Sequence, residues 1–207
     1  MMAGQAKKSP ETPVASRTKS KGEQTRRALI DATVDLFQRQ GFAATGLNQI
    51  VAESRQPKGS LYFHFPGGKE ELGVAAVRCG AGMVETLLQA AIIPAETPRA
   101  MLENVAVLFA AELEASDFTK GCPVSTIALE ATEETPNLQR ACAEAYSGWL
   151  AMIERAFVAK GMQPDLATRR ARLGLSTLEG ALLLARTERS TRALHEMIED
   201  LSPLFEG

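Results

Sequence analysis

An all-α fold is what this chain of 207 residues predicts, and three features carry the prediction. Long stretches are dominated by alanine, leucine, glutamate and arginine, with apolar residues recurring at helical spacing. β-Branched residues are sparse, and no segment sustains the alternation of a half-buried strand. Prolines, and glycines such as Gly41 and Gly161, fall at the ends of the periodic segments, where they punctuate them. An apolar fraction of 45% and a charged fraction of 23% are ordinary for a globular protein with a substantial core.

The net charge of -2 hides an asymmetry. Residues 1–70 hold 11 Lys+Arg against 6 Asp+Glu, whereas residues 71–207 hold 12 against 19. Such a chain suits a protein that offers one end to a polyanion, although a solvated basic tail gives the same count. Cys79, Cys122 and Cys142 are odd in number, far apart and without a CxxC, which argues against a disulfide framework or a structural zinc site. Reduced thiols and a cytoplasmic location are expected. No run of about 18 apolar residues predicts a membrane span, and the polar, basic start lacks the apolar core of a secretory signal. With only His64 and His195 available, no metal site is expected. No nucleophile-base constellation marks an enzyme, and no cofactor is implied.

Taken in order, residues 1–21 are a flexible basic arm, too polar to bury the surface that ordering requires. A first helix is predicted from about Glu23 to Gln40, with a broad face of Leu29, Ile30, Thr33, Val34, Leu36 and Phe37. Gly41 is its C-terminal stop. Thr25, Arg26 and Arg27 occupy its first turn, where free N–H groups and the helix dipole favour an anion. Thr45 is the expected N-cap of a short second helix, about Gly46 to Glu53. Ser54-Arg55-Gln56-Pro57 forms a turn. A third helix then runs from Lys58 to Phe65, with Pro57 at its first position and Gln56 capping. Leu61 and Phe65 point to the core. Lys58, Ser60, Tyr62 and His64 are left as hydrogen-bond donors facing outward or along the rim, Phe63 offers an apolar contact with a thymine methyl or with the protein core, and Gly59 permits close backbone approach. Two short helices joined by a tight turn outline a helix-turn-helix.

At these residues the chain resembles the N-terminal domain of the TetR family of transcriptional regulators. The pattern is G-F-x-x-T, an L-x-x-I-V-A helix, K-G-S-L-Y-x-H-F, and K-E-E-L. Here Gly41, Phe42, Thr45, Ile50, Ala52, Lys58 to Tyr62, His64, Phe65 and Lys69 to Leu72 carry it. Where the family often has Ala-Gly-Val in the turn, this chain has Ser54-Arg55-Gln56. The resemblance implies a helix-turn-helix domain over residues 22–82, followed by a C-terminal effector-binding and dimerisation domain over residues 83–207. It also implies a dimeric repressor of a palindromic double-stranded DNA operator. Lys58, Ser60 and Phe63 are then the candidates for base contacts, and Gly59 for close approach. Thr25, Arg26, Thr45, Tyr62, His64 and Lys69 are the candidates for phosphate contacts. An activator of the same fold stays open. So does a helical small-molecule-binding protein or enzyme that does not act on DNA.

Beyond the head, a fourth helix from about Lys69 to Ala90 would span about 33 Å and reach into the second domain. A fifth runs from Pro98 to Ala115, a sixth from near Pro123 to before Pro136, and a seventh from Pro136 to Lys160. The eighth covers Asp165 to Arg186 and the ninth Ser190 to Leu201. Gly121-Cys122-Pro123, with EGALLLAR from Glu179 to Arg186, resembles the branch of the family that includes a lincomycin-resistance regulator. That resemblance hints at a small apolar or aromatic effector. Met101, Phe109, Cys122, Tyr146, Trp149 and Met152 are candidate cavity residues, with Thr126, Thr177 and Glu179 as polar handles, although the same residue types fill a plain core. Leu175, Leu178, Leu182, Leu194, Ile198 and Leu201 finish the core or, as the resemblance implies, pair with a second copy as a four-helix bundle. Cys122 and Cys142 fall in apolar helical surroundings, where a thiol is expected to be inert.

Overall fold

A computed structural model describes residues 20–206, whose regular elements are all helices, with no strand among them. The basic arm lies outside the described residues except for its last two, Ser20, which caps the first helix, and Lys21, which begins it. α1 (Lys21–Gln40) opens on a capping box: the Glu23 N–H donates to the Ser20 hydroxyl, and the Ser20 N–H donates to the Glu23 carboxylate. Leu29 and Phe37 are fully buried on its inner face. Its last carbonyls meet Gly41, whose φ of 81° is a conformation glycine adopts without strain.

α2 (Leu47–Ser54) and α3 (Lys58–His64) pack on α1 through Ile50, Leu61 and Phe65, all buried. Two local expectations are corrected here. Gly46, not Thr45, caps α2, and Pro57 is the N-cap of α3, with the Gln56 amide donating instead to the Ser54 carbonyl. The turn keeps a left-handed residue where the family pattern has glycine, because Arg55 sits at φ 55°, ψ 29°. A side chain there costs about 1–2 kcal/mol, partly offset by the lower entropy of the unfolded chain. Arg55→Gly is therefore expected to raise stability by about 0.5–1 kcal/mol, read as an upward thermal shift. Arg55→Val should lower it.

α4 (Gly68–Ile92) is the connecting rod, in contact with α1 at one end and with α5 and α7 along its length. α5 (Pro98–Ala115) starts on a Thr97 cap with Pro98 in its first turn. The expected sixth helix is much shorter than its sequence span: α6 is Ser125–Ala128 only. Leu129 to Thr135 leave helical geometry, with Thr132 and Thr135 hydroxyls serving backbone groups and so competing with helix propagation. α7 (Pro136–Ala159), α8 (Pro164–Glu188) and α9 (Arg192–Leu201) complete the body, closed by a 3₁₀ turn at Ser202–Phe205. Phe205 is buried, edge-on to Phe157 at 5.5 Å.

The body draws four residues of the expected dimer stripe into the chain's own core. Leu175, Leu178, Leu182 and Leu194 are buried within the single chain, and Ile198 and Leu201 are half-buried. α8 needs that face to pack on α5, α7 and α9. The apolar surface left outward on α8 is Leu183 and Leu184, beside Gly180.

Candidate nucleic-acid interface and its linked cavity

α3 divides its residues by packing. Leu61 is held in the core, as is Phe65 just beyond the helix, so the opposite side faces water with Lys58, Gly59, Tyr62 and Phe63 exposed. Phe63 is 80% exposed and Tyr62 50%. Phe63 touches only the edge of the His64 ring among aromatic neighbours, at 5.0 Å. Ser60 and His64 are half-buried on the flanks. A Cβ on Gly59 would meet nothing within 4 Å, so internal crowding does not explain the glycine.

The start of α1 abuts the end of α3. The Arg26 guanidinium lies 5.1 Å over the Phe65 ring, and a Cβ on Gly22 would stand 3.8 Å from His64 Cε1. Thr25 and Arg26 are thus carried to the side of the exposed α3 face. Lys69 sits elsewhere, at the α1–α2 turn, with its ammonium 4.3 Å from the Phe42 ring centroid and 3.4 Å from the Ala43 carbonyl. Burial lowers the Lys69 pKa, opposed by the Glu130 carboxylate. Thr45 is the one predicted contact the fold turns inward. Its side chain is fully buried and its hydroxyl donates to the Gly41 carbonyl at 2.7 Å, so it shapes the turn and is not offered to a phosphate.

Four groups of the body grip this head. The Ala43 N–H donates to Glu130 Oε2, placing a carboxylate from the loop after α6 at the entrance of α2. Gln38 and Gly121 exchange hydrogen bonds, the Gly121 N–H reaching the Gln38 carbonyl at 3.0 Å and the Gln38 amide reaching the Gly121 carbonyl at 3.3 Å. Lys120 pairs with Asp35 at 2.7 Å. Burial alone would push the Asp35 carboxyl up, but hydrogen bonds from Lys120 and Arg39 hold it below its usual range. Arg186, near the end of α8, donates from Nη2 to the Arg39 carbonyl at 2.8 Å and to the Thr119 carbonyl at 3.2 Å. Its cation therefore caps the negative end of α1. The grip runs through a strained loop, since Asp117 and Phe118 both have positive φ, 51° and 55°. Arg189 steadies that loop by donating to the Asp117 carboxylate at 2.6 Å. Arg186→Ala is expected to lower stability by about 1–2 kcal/mol, measured as a denaturant midpoint. Arg186→Lys should restore only part, because one ammonium lacks the guanidinium's fork.

A cavity of about 340 Å³ opens beside this grip, lined by Cys122, Ser125, Thr126, Leu129, Tyr146, Glu179 and Arg186, among others. A second, of about 440 Å³, shares Gly121, Cys122 and Leu182 with it and reaches Gln38, Arg39 and Phe109. Of the candidate effector residues, Cys122, Thr126 and Tyr146 line the first and Phe109 the second. Met101 borders only a narrow apolar cleft of about 40 Å³. Trp149, Met152 and Thr177 line none of these. Trp149 is core, its indole N–H donating to the Ala81 carbonyl at 3.2 Å, and Thr177 bonds its own helix at Leu173. Sequence reasoning missed Ser125, Leu129 and Arg186 here, and Glu130 at the head. Arg186 and Glu130 bond residues remote in the chain and Ser125 faces Glu179, so no local spacing marks them. Burial pushes the Cys122 thiol up to about 12 and Cys142 up to about 11, which disfavours the reactive thiolate.

Comparison with known proteins agrees with this arrangement. Residues 29–76 match the model for bacterial regulatory proteins of the tetR family, and residues 94–200 match the C-terminal domain of LmrA/YxaF-like transcriptional regulators. The chain is 35% identical to the HTH-type transcriptional regulator LmrA of Bacillus subtilis over 176 residues, covering 83% of this chain and 92% of that protein. It is 33% identical to YxaF of the same organism, an HTH-type transcriptional regulator, over 89% of this chain and 96% of the relative. Among solved structures, a TetR-family regulator from Cytophaga hutchinsonii superposes with a TM-score of 0.76 at 26% identity, covering 91% of this chain and 96% of that one. Regulators of this family bind DNA and are typically dimers. With its exposed α3 face, its helical body and these matches along most of its length, the chain belongs to the TetR family of helix-turn-helix transcriptional regulators.

Proposed function

We propose that this regulator is a ligand-responsive repressor that binds a palindromic operator as a homodimer in the cytoplasm. Residues 22–82 serve as the DNA-reading head and residues 83–207 as the effector-binding and dimerisation body. The observation that carries the reading is the bare outer face of α3, where Phe63 and Lys58 stand in water without a partner in the core. An aromatic ring at 80% exposure contributes nothing to packing, whereas in a major groove it can cover a thymine methyl while Lys58 donates to guanine. Tyr62, His64, Thr25 and Arg26 border that face and suit phosphates. Lys69 suits a phosphate at the far end once it turns from Phe42. Leu183, Leu184 and Gly180 form the outward surface of α8 that a second copy would cover, and a dyad of heads about one DNA turn apart reads a palindrome.

A ligand in the cavity beside Arg186 and Ser125 would act on the elements that grip the head. It needs only to bind better to the conformation in which Arg186 or Glu130 has let go, and the population then leaves DNA. A gel shift against the DNA upstream of the protein's own gene tests the function. Binding to a palindrome there, with affinity falling steeply as salt rises, supports it. Equal affinity for that DNA and a scrambled duplex sinks it.

A further inference from the structure

Resting on the proposed effector role of the body, we propose that the cavity between α6, α7 and α8 takes a cationic ligand: an apolar or aromatic amine whose ammonium group pairs with Glu179.

Glu179 is a half-buried carboxyl in the wall of this cavity. One of its oxygens, Oε2, is inaccessible to solvent and has no hydrogen-bond partner. The groups that face the carboxyl are the Cys122 thiol, the Ser125 hydroxyl and the Tyr146 hydroxyl, and each acts to favour the ionised form. Donors of that kind solvate a carboxylate, and among them there is no cation to neutralise it. Burial outweighs them and raises the carboxyl above its usual range, and a cation placed beside it would favour the ionised form. The chain's own candidate is Arg186, seven residues further along α8 and in the wall of the same cavity. Its Nη2 is engaged with the Arg39 and Thr119 carbonyls, and no ion pair to Glu179 is formed among the described residues.

The rest of the wall fits the other end of such a molecule. Tyr146 lines the same cavity with its hydroxyl toward the carboxyl, and its ring adds aromatic surface for the body of the ligand. Leu129, Leu182 and Leu183 supply the apolar surface. About 340 Å³ lies within the range of small-molecule sites. An ammonium beside the carboxyl supplies a counter-charge, which a hydrocarbon or an anion cannot do.

Isothermal titration and thermal shift with 4-phenylbutylammonium, its hydrocarbon counterpart pentylbenzene and the anion 5-phenylpentanoate test the inference on the full chain. The amine should bind wild type at least tenfold more tightly than either analogue. Glu179→Gln, which keeps the shape and removes the charge, should abolish that preference while circular dichroism shows the fold retained. Leu129→Trp should reduce binding of all three probes by filling the mouth, which locates the site without touching the carboxyl. If amine and hydrocarbon bind alike and Glu179→Gln changes neither, the cavity is a ligand site but the cation assignment is overturned. If none of the three binds, both the cation assignment and the effector reading of this cavity fall.

Discussion

Lys58→Ala should weaken operator binding by about 1–3 kcal/mol per half-site, hence about 2–6 kcal/mol for a dimer that engages both. The side chain is exposed at the first position of α3, so its loss removes a donor from the reading face without opening the core. Affinity for scrambled DNA should fall far less, because non-specific binding rests on phosphate contacts. Phe63→Ala separates recognition from stability more sharply. The ring is 80% exposed, so the thermal midpoint should move within the small range of surface substitutions, about 0.5 kcal/mol. Operator affinity should drop as for Lys58. Fluorescence anisotropy on operator and scrambled duplexes at two salt concentrations reads all of these values. Unchanged operator binding in both variants would show that α3 does not read bases through this face.

Trp149→Ala carries the largest expected effect on stability. The indole is 2% exposed, packs edge-to-face on Tyr146 at 5.2 Å and donates to the Ala81 carbonyl of α4. Removing it opens a large void between α7 and α4 and removes a hydrogen bond between them, at a cost of about 3–5 kcal/mol. At about 2–4 °C per kcal/mol for a chain of this size, the midpoint should fall by about 6–20 °C. Trp149→Phe restores most of the ring but not the hydrogen bond and should cost about 1–2 kcal/mol. Calorimetry distinguishes the two. A shift of under 2 °C for the alanine variant would mean that α7 and α4 are held together mainly by other contacts.

The two predictions also mark where sequence reading succeeded and where it stopped. α1, α3, α4, α5, α7 and α8 follow the periodicity of their apolar residues to within a few positions. Leu61 and Phe65 are buried, as their four-residue spacing requires, and Lys58 is exposed as expected, whereas the 80% exposure of Phe63 was decided only by the packing. Apart from Phe63, these are local matters, decided by a helical period and by residues such as Gly41. α6 shows the limit, since four helical residues carry too little pattern and neighbouring threonines bond the backbone instead. Thr45 shows another. It has the residue type of an N-cap, but one hydrogen bond to Gly41 turns it inward.

What the amino-acid sequence determined by itself is the helical class, the helix-turn-helix, and the family those residues mark. Each rests on contacts between positions a few residues apart, or on a motif of that length. Only the tertiary structure decided which apolar stripes were free. A leucine stripe on α8 has the same spacing whether it meets α5 or a second molecule, and packing chose the former for Leu175, Leu178 and Leu182. It also brought Arg186 to Arg39 and Glu130 to Ala43, across 147 and 87 residues, and left Glu179 with an unpartnered oxygen in a cavity. A charge shows its partner, or its lack of one, only when every neighbouring chain segment is in place.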